Sequence, residues 1–238
     1  MATAEPIPNL PVPTSNVVPD LETGDHLSRD EFERRYHAMP ESCHAQLIEG
    51  VVYMASPVRF NAHARPHKDL LYWSSTYEIG TPGILSGDNA TVRMDLDNEP
   101  QPDLAMFLAP GSGGRVKLSD DDYLVGAPEF VAEISASSVS IDLHSKMRVY
   151  KRNQVLEYLV WRTLDREIDW FHLQGSDYRR IKPDVAGVLR SILLPGLWLD
   201  APAMFSGDMT SVLKVLAAGL ASPEHAAFVE RLKNQKTP

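Results

Sequence analysis

Two short apolar runs carry the residues whose types could do chemistry. Phe130–Ile134 (FVAEI) is interrupted by one carboxylate, Glu133, and Gln101–Leu108 (QPDLAMFL) holds Asp103 near its start. An ionised acid inside a buried strand is costly unless a cation or a metal pairs with it. A serine-rich turn follows Glu133, and then comes a helical pattern that carries Lys146. Two carboxylates on adjacent strands and a neighbouring amine are the parts that phosphodiester hydrolysis requires. A water has to be made nucleophilic and the extra negative charge neutralised, and a divalent cation supplies both. Mg²⁺ or Mn²⁺ takes oxygen ligands, commonly one or two carboxylates, so Asp103 and Glu133 are the candidate metal ligands.

The amine needs a different placement from the simplest one, in which a lysine stands two residues after the glutamate on the same strand face. That position is Ser135. Lys146 is the replacement. On a helix expected over about Ser140–Arg152 the apolar stripe is Leu143, Met147 and Tyr150, and Lys146 falls at its edge, about 40° from Tyr150. A long side chain can run from there along the sheet toward Glu133. Asp142, one turn earlier, shares that edge, although such a pair is also what a solvated helix face shows. His63 and His67, four residues apart on another helix, suit a metal in principle, but no HExxH glutamate accompanies them. Capping or a hydrogen bond to the preceding hairpin is the favoured role for both. Cys43 has no nearby cysteine and makes a poor nucleophile.

The elements that must position these residues follow from periodicity and breakers. Ser28 opens a helix to about Met39, with Glu31 completing a capping box. Gln46–Ser56 reads as a hairpin around Glu49-Gly50. Asn61–Ile79 is a helix with Pro66 in its first turn, and Ile84–Leu96 is one strand or a bent pair. Along Leu104–Leu108 the residues Leu104, Met106 and Leu108 face one way, and Asp103, Ala105 and Phe107 the other. Pro110–Asp122 reads as a flexible loop with a solvated acidic run. Strands are expected at Glu129–Ser135, Leu156–Arg162 and Glu167–Leu173, with an edge strand at Asp177–Ile181 and another at Ser191–Leu194. Helices near Gly207–Leu220 and Pro223–Lys233 finish the chain. This order predicts an α/β fold with a mixed sheet flanked by helices.

Composition narrows the class. The 238 residues, 43 % hydrophobic and 23 % charged, are those of a globular protein, and the net charge of −9 argues against broad binding of nucleic acid through a basic surface. A metal can still make the field locally positive over a cluster of acids. No apolar run reaches the roughly 18 residues of a membrane span. The first twenty residues lack the blocks of a signal peptide, and one cysteine permits no internal disulfide, so the expectation is a cytoplasmic protein.

Taken together these segments resemble the Uma family of putative restriction endonucleases, within the PD-(D/E)XK nuclease superfamily. The matching pieces are Leu47-Ile48-Glu49-Gly50 with the following strand, His63, Gln101-Pro102-Asp103-Leu104, Pro128–Ser135, Asp142 with Lys146 and Tyr150, and Glu157–Trp161. The resemblance implies a restriction-endonuclease-like core with Asp103 and Glu133 as metal ligands. It also implies a lysine moved from strand to helix, which Lys146 matches, and an additional acid at Glu49. Ser135-Ala136-Ser137 replaces the family's usual Ser-Pro-Ser turn. The expectations are therefore a proline-rich arm over 1–24, a nuclease domain over 25–205 and a helical extension over 206–238. The function expected is a Mg²⁺- or Mn²⁺-dependent endonuclease acting on DNA, working as a homodimer with catalytic residues Asp103, Glu133, Lys146 and Glu49. The alternative is a nuclease fold kept as a binding module, with cleavage lost.

Overall fold

The structure is a computed structural model that describes residues 18–235. Most of the arm expected over 1–24 lies outside the described residues. The part within them lies along the N-terminal hairpin, where Leu21 is buried with Phe32, Leu47 and Val52. Helix α1 (Arg29–Tyr36) is capped by Ser28, whose side chain accepts from the Glu31 N–H. The Glu31 carboxylate turns to Arg34 and Arg35, so only half of the expected capping box forms. Strands β1 (Ala45–Ile48) and β2 (Val51–Met54) form the expected hairpin. Glu49 and Gly50 both take positive φ, 52° and 75°, as a two-residue turn with the right twist requires.

The next helix begins with a wide π-helical turn, Phe60–Ala64, before regular α2 (Arg65–Gly80). Strand β3 (Ile84–Gly87) and β4 (Val92–Arg93) then part company into different sheets. The expected strand pair is thus broken by a turn in which Asn89 adopts φ 51°. Strand β5 (Leu104–Leu108) follows, then β6 (Lys117–Leu118) inside the segment expected as loop, and β7 (Leu124–Val125) just after it. Strand β8 (Phe130–Ser135) leads through a second π-helical segment, Ile141–Lys146, into α3 (Met147–Arg152). Strands β9 (Glu157–Arg162), β10 (Glu167–Gln174) and β11 (Asp177–Arg180) come next. Then come β12 (Val188–Arg190), β13 (Trp198–Asp200) and helices α4 (Ala201–Ser206), α5 (Met209–Leu220) and α6 (Pro223–Asn234).

A six-stranded mixed sheet, ordered β11-β10-β9-β8-β5-β3, organises the molecule. Its pairs are antiparallel except β8 with β9, which are parallel and joined by the crossover that contains α3. One face, with Leu104, Met106, Phe130, Ala132 and Trp170, is covered by α2 and by Val212, Leu216, Phe228 and Leu232 from α5 and α6. The other face holds Val131, Tyr158 and Val160 against Tyr150 of α3. No single described helix is long and apolar enough to cross a membrane.

Ser191–Leu194, expected as a strand, is a turn instead. The wholly buried Glu157 carboxylate accepts from the Ile192 and Leu193 N–H groups and from Ser191 Oγ, which takes those groups out of any ladder. The acidic run over Asp120–Asp122 is not simply solvated, because Asp121 makes a bidentate pair with Arg93 at 2.7 and 2.8 Å. Arg93 also reaches Glu33 of α1 and, at 3.8 Å, Glu99, so this guanidinium ties the N-terminal unit to the sheet.

Burial, together with the nearby Glu33 carboxylate, pushes Glu99 up to about 8 against the pull of Arg93 and Arg29. A carboxyl raised in the fold contributes most below its unfolded pKa and loses that contribution as pH rises toward its folded pKa. Glu99→Gln is therefore expected to gain stability over the wild type between pH 5 and pH 8.5, by about 1 kcal/mol or more at the upper end. Urea titrations at the two pH values check it; a constant difference between the proteins would contradict it.

Candidate active site

The register of β5 and β8 decides whether the two acids meet. Leu104 lies opposite Ala132, so one step further along the same antiparallel pairing Asp103 lies opposite Glu133. Asp103 precedes the first residue of β5 and Glu133 sits near the C-terminal end of β8, so both stand at one end of the sheet. The Ile134 N–H donates to Asp103 Oδ2 at 2.6 Å, which fastens the two strand ends together.

Lys146 arrives from the π-helical segment after β8. Its Nζ lies 2.9 Å from Glu133 Oε1 and 3.7 Å from Asp142 Oδ1, with only 4 % of the lysine exposed. The Tyr150 hydroxyl donates to the same Glu133 oxygen at 2.7 Å, and the Ser138 hydroxyl donates to Asp142 at 2.5 Å. Burial pushes the Glu133 carboxyl up to about 8 against the pull of the Lys146 ammonium. Burial also opposes the charge on Lys146, but Glu133, Asp142 and Asp103 outweigh it and raise the amine above its ordinary value. The lysine is therefore a fixed cation among three acids.

Asp103 has a second set of partners on the first π-helical turn and α2. His63 Nε2 lies 3.3 Å from Asp103 Oδ1, and His67 Nε2 lies 2.9 Å from the Asp103 carbonyl oxygen. His67 also reaches Asp88, at 3.0 Å. Burial opposes ionisation of Asp103, yet His63, the Ile134 N–H and Lys146 together hold it below the usual carboxylate range. His63 is raised in turn, chiefly by its hydrogen bond to Asp103. His63, His67 and Asp103 form a group whose ligand atoms all lie within 4.8 Å of one another. The expected role for the two histidines, capping or bonding to the hairpin, is replaced by contact with Asp103. Their spacing carried that signal, but the reach to Asp103 depends on docking of the helix across the sheet end.

Asp103, Glu133, Lys146 and Asp142 are thus brought together, with His63 joining them from α2's side. Glu49 is engaged elsewhere. Its carboxylate is held by Arg148 in a bidentate pair at 3.0 and 2.6 Å, and this guanidinium keeps it below the usual carboxylate range. The reason lies on the helix: Arg148 is two residues past Lys146 and faces the hairpin, where it meets the turn first.

A mixed sheet with two acids and a lysine at one end defines a nuclease-like fold. The chain matches the Uma2 family, described as "Putative restriction endonuclease", over residues 29–202, and it belongs to that family. Its fold is similar to the crystal structure of a putative nuclease belonging to DUF820 from Anabaena variabilis. The TM-score is 0.54 at 13 % identity, covering 73 % of this chain and 96 % of that one. No curated protein matches the chain.

Removing one partner from a buried ion pair leaves the other uncompensated and costs roughly 3–5 kcal/mol, whereas replacing both by apolar groups can be nearly neutral. Lys146→Met is expected to destabilise by about 3 kcal/mol. Adding Glu133→Leu is expected to recover most of that loss. A double-mutant cycle by chemical denaturation measures both, and additive losses would contradict the pairing.

Proposed function

We propose that the protein is a divalent-metal-dependent endonuclease that hydrolyses phosphodiester bonds of DNA. The observation that carries this reading is the placement of Asp103 opposite Glu133 with the Lys146 ammonium 2.9 Å from the glutamate. The donor chemistry fits a hard divalent ion, because Asp103 is held ionised and Glu133 adds a second carboxyl oxygen donor beside it. Asp103 and Glu133 would hold the ion, which when bound lowers the pKa of a coordinated water and offsets charge on the phosphate.

The chain's own residues have distinct tasks in this reading. Lys146 Nζ, kept protonated by the acids, donates hydrogen bonds to the attacking water and stabilises the negative charge that develops on the phosphoryl oxygens. Tyr150 fixes the Glu133 carboxylate in one orientation through its hydroxyl. His63 and the Ile134 N–H fix Asp103 in the same way. Glu49, paired with Arg148, supports the hairpin against the lysine helix and does not enter the chemistry directly. The reading includes a homodimer, since cutting both strands of a duplex calls for two such sites.

One observation favours the second reading, a binding module without cleavage. Glu133 and Lys146 are only 3 % and 4 % exposed and already neutralise one another. Calorimetric titration with Mn²⁺ separates the two readings. The nuclease reading expects heat of binding that disappears in Asp103→Ala, and the module expects none.

Cleavage supplies the direct test. Asp103→Ala, Glu133→Gln and Lys146→Ala are each expected to slow Mg²⁺-dependent cutting of plasmid DNA by at least about 100-fold, with folding checked by circular dichroism. Unchanged cutting in any of the three removes that residue from the mechanism.

A further inference from the structure

The protein is acidic overall, so any contact with a polyanion has to be local. Most of its described lysines and arginines are already spent on acids. Eight are exposed and make no ion pair among the described residues, and Arg65, Arg166 and Lys182 are three of them. The fold gathers these three at the end of the sheet that carries Asp103 and Glu133.

The topology shows why. Strands β8 and β9 run parallel, with Ser135 opposite Arg162, and the Thr163 N–H donates to the Ser135 carbonyl at 3.0 Å. The β9–β10 turn, Thr163–Arg166, therefore lies directly beyond the strand end that bears Glu133. The Thr163 hydroxyl also donates to the Ala62 carbonyl at 2.7 Å, next to His63, which joins this turn to the first π-helical turn. Arg166 projects from the turn with φ 55°. Beyond it, a cavity of about 460 Å³ is lined by Arg166, Arg180, Lys182, Ile168, Leu189 and Phe205 among others. Arg65 does not line the cavity but comes near its Phe205 side from α2: its Nη2 lies 2.8 Å from where a Cβ on Gly207, two residues past Phe205, would stand.

The acids nearby are accounted for. Asp165, Glu167 and Asp169 surround Arg162, and Glu167 and Asp169 also face Arg180. Those three acids exceed the two arginines by one negative charge, against the three positive charges of Arg65, Arg166 and Lys182, so the region stays positive on balance. Arg93, on the N-terminal side of the molecule, is by contrast enclosed by Glu33, Glu99 and Asp121.

We propose that Arg65, Arg166 and Lys182 form a phosphate-docking track that receives the backbone of the nucleic-acid strand flanking the scissile bond. This rests on the nuclease reading above and adds where the substrate lies. The strand runs from the Asp103–Glu133 centre over the β9–β10 turn, and its phosphates meet the three unpaired cations. The apolar floor of the cavity, with Ile168, Leu189 and Phe205, takes the face of a sugar or base. Contacts of this kind are sequence-independent and are lost with rising salt as counter-ions compete.

The test is binding of a fluorescein-labelled DNA duplex by the full chain in EDTA, followed by anisotropy at salt concentrations from about 50 to 200 mM. Arg166→Asn, which keeps a residue tolerant of positive φ, is combined with Lys182→Ala. The control pair is Lys117→Ala with Arg231→Ala, two exposed cations near the opposite end of the sheet. The track variant is expected to bind about tenfold more weakly, with a salt slope lower by about 2. The control is expected to match the wild type.

If the track variant binds like the wild type, or if the control loses as much, the track is wrong while a wild type that cuts DNA keeps the nuclease reading intact. If the wild type binds but does not cut, and the track variant alone weakens, the track stands and the nuclease reading falls. If the wild type neither binds nor cuts, both fall.

Discussion

The structure depends on lodging carboxyl groups where water is scarce and giving each a cation or a hydrogen-bond donor. Glu133 lies near the end of a central strand, buried on the face that Val131, Tyr158 and Val160 share, and such a position tolerates an acid only when a cation is brought to it. The cation comes from the crossover between β8 and β9. That ion pair accounts for the burial of Lys146, with the Tyr150 hydroxyl donating to the same Glu133 oxygen and the Ser138 hydroxyl donating to Asp142. The apolar parts of the fold can be seen as holding this arrangement rigid. Tyr150 packs edge-on against Tyr158, with ring centroids 4.8 Å apart, and Tyr158 in turn donates to the Asp142 carbonyl.

Two departures from regular helix geometry bear on the same site. His63 lies in the wide turn Phe60–Ala64 and Lys146 in the wide segment Ile141–Lys146. A π-helical turn accommodates one more residue than an α-turn and is found frequently at functional positions. Here both such stretches deliver a polar side chain to the end of the sheet, and each then reverts to regular helix whose apolar residues pack in the ordinary way. The cost of the irregular turns is borne locally, next to the groups they position.

Much of this was legible in the sequence because the relevant signals are local. Alternation along Leu104–Leu108 put Asp103 on the face that Glu133 shares, and the stripe of Leu143, Met147 and Tyr150 placed Lys146 at an edge from which it could reach the sheet. Glu49-Gly50 marked its hairpin by turn chemistry alone. What was not legible depends on long-range contacts. The turn at Ser191–Leu194 looks like a strand until Glu157, more than thirty residues away, takes its N–H groups. The histidines look like cap residues until the register of β5 sets Asp103 beside them. Glu49 looks equivalent to the other acids until Arg148 claims it. The three-stranded sheet of β4, β7 and β6 has strands of two residues each, too short for alternation to register.

The strand order has a bearing on how the chain is made. Reading across the large sheet from β3 to β11, each strand lies beside the one that precedes it in that sheet along the sequence. The sheet can therefore grow outward strand by strand as the polypeptide leaves the ribosome, each newly emerged segment finding its template already formed. Such growth needs a stop. The last strand, Asp177–Arg180, supplies one: its exposed Asp177, Arg179 and Arg180 make the open margin a poor template for another copy of the chain.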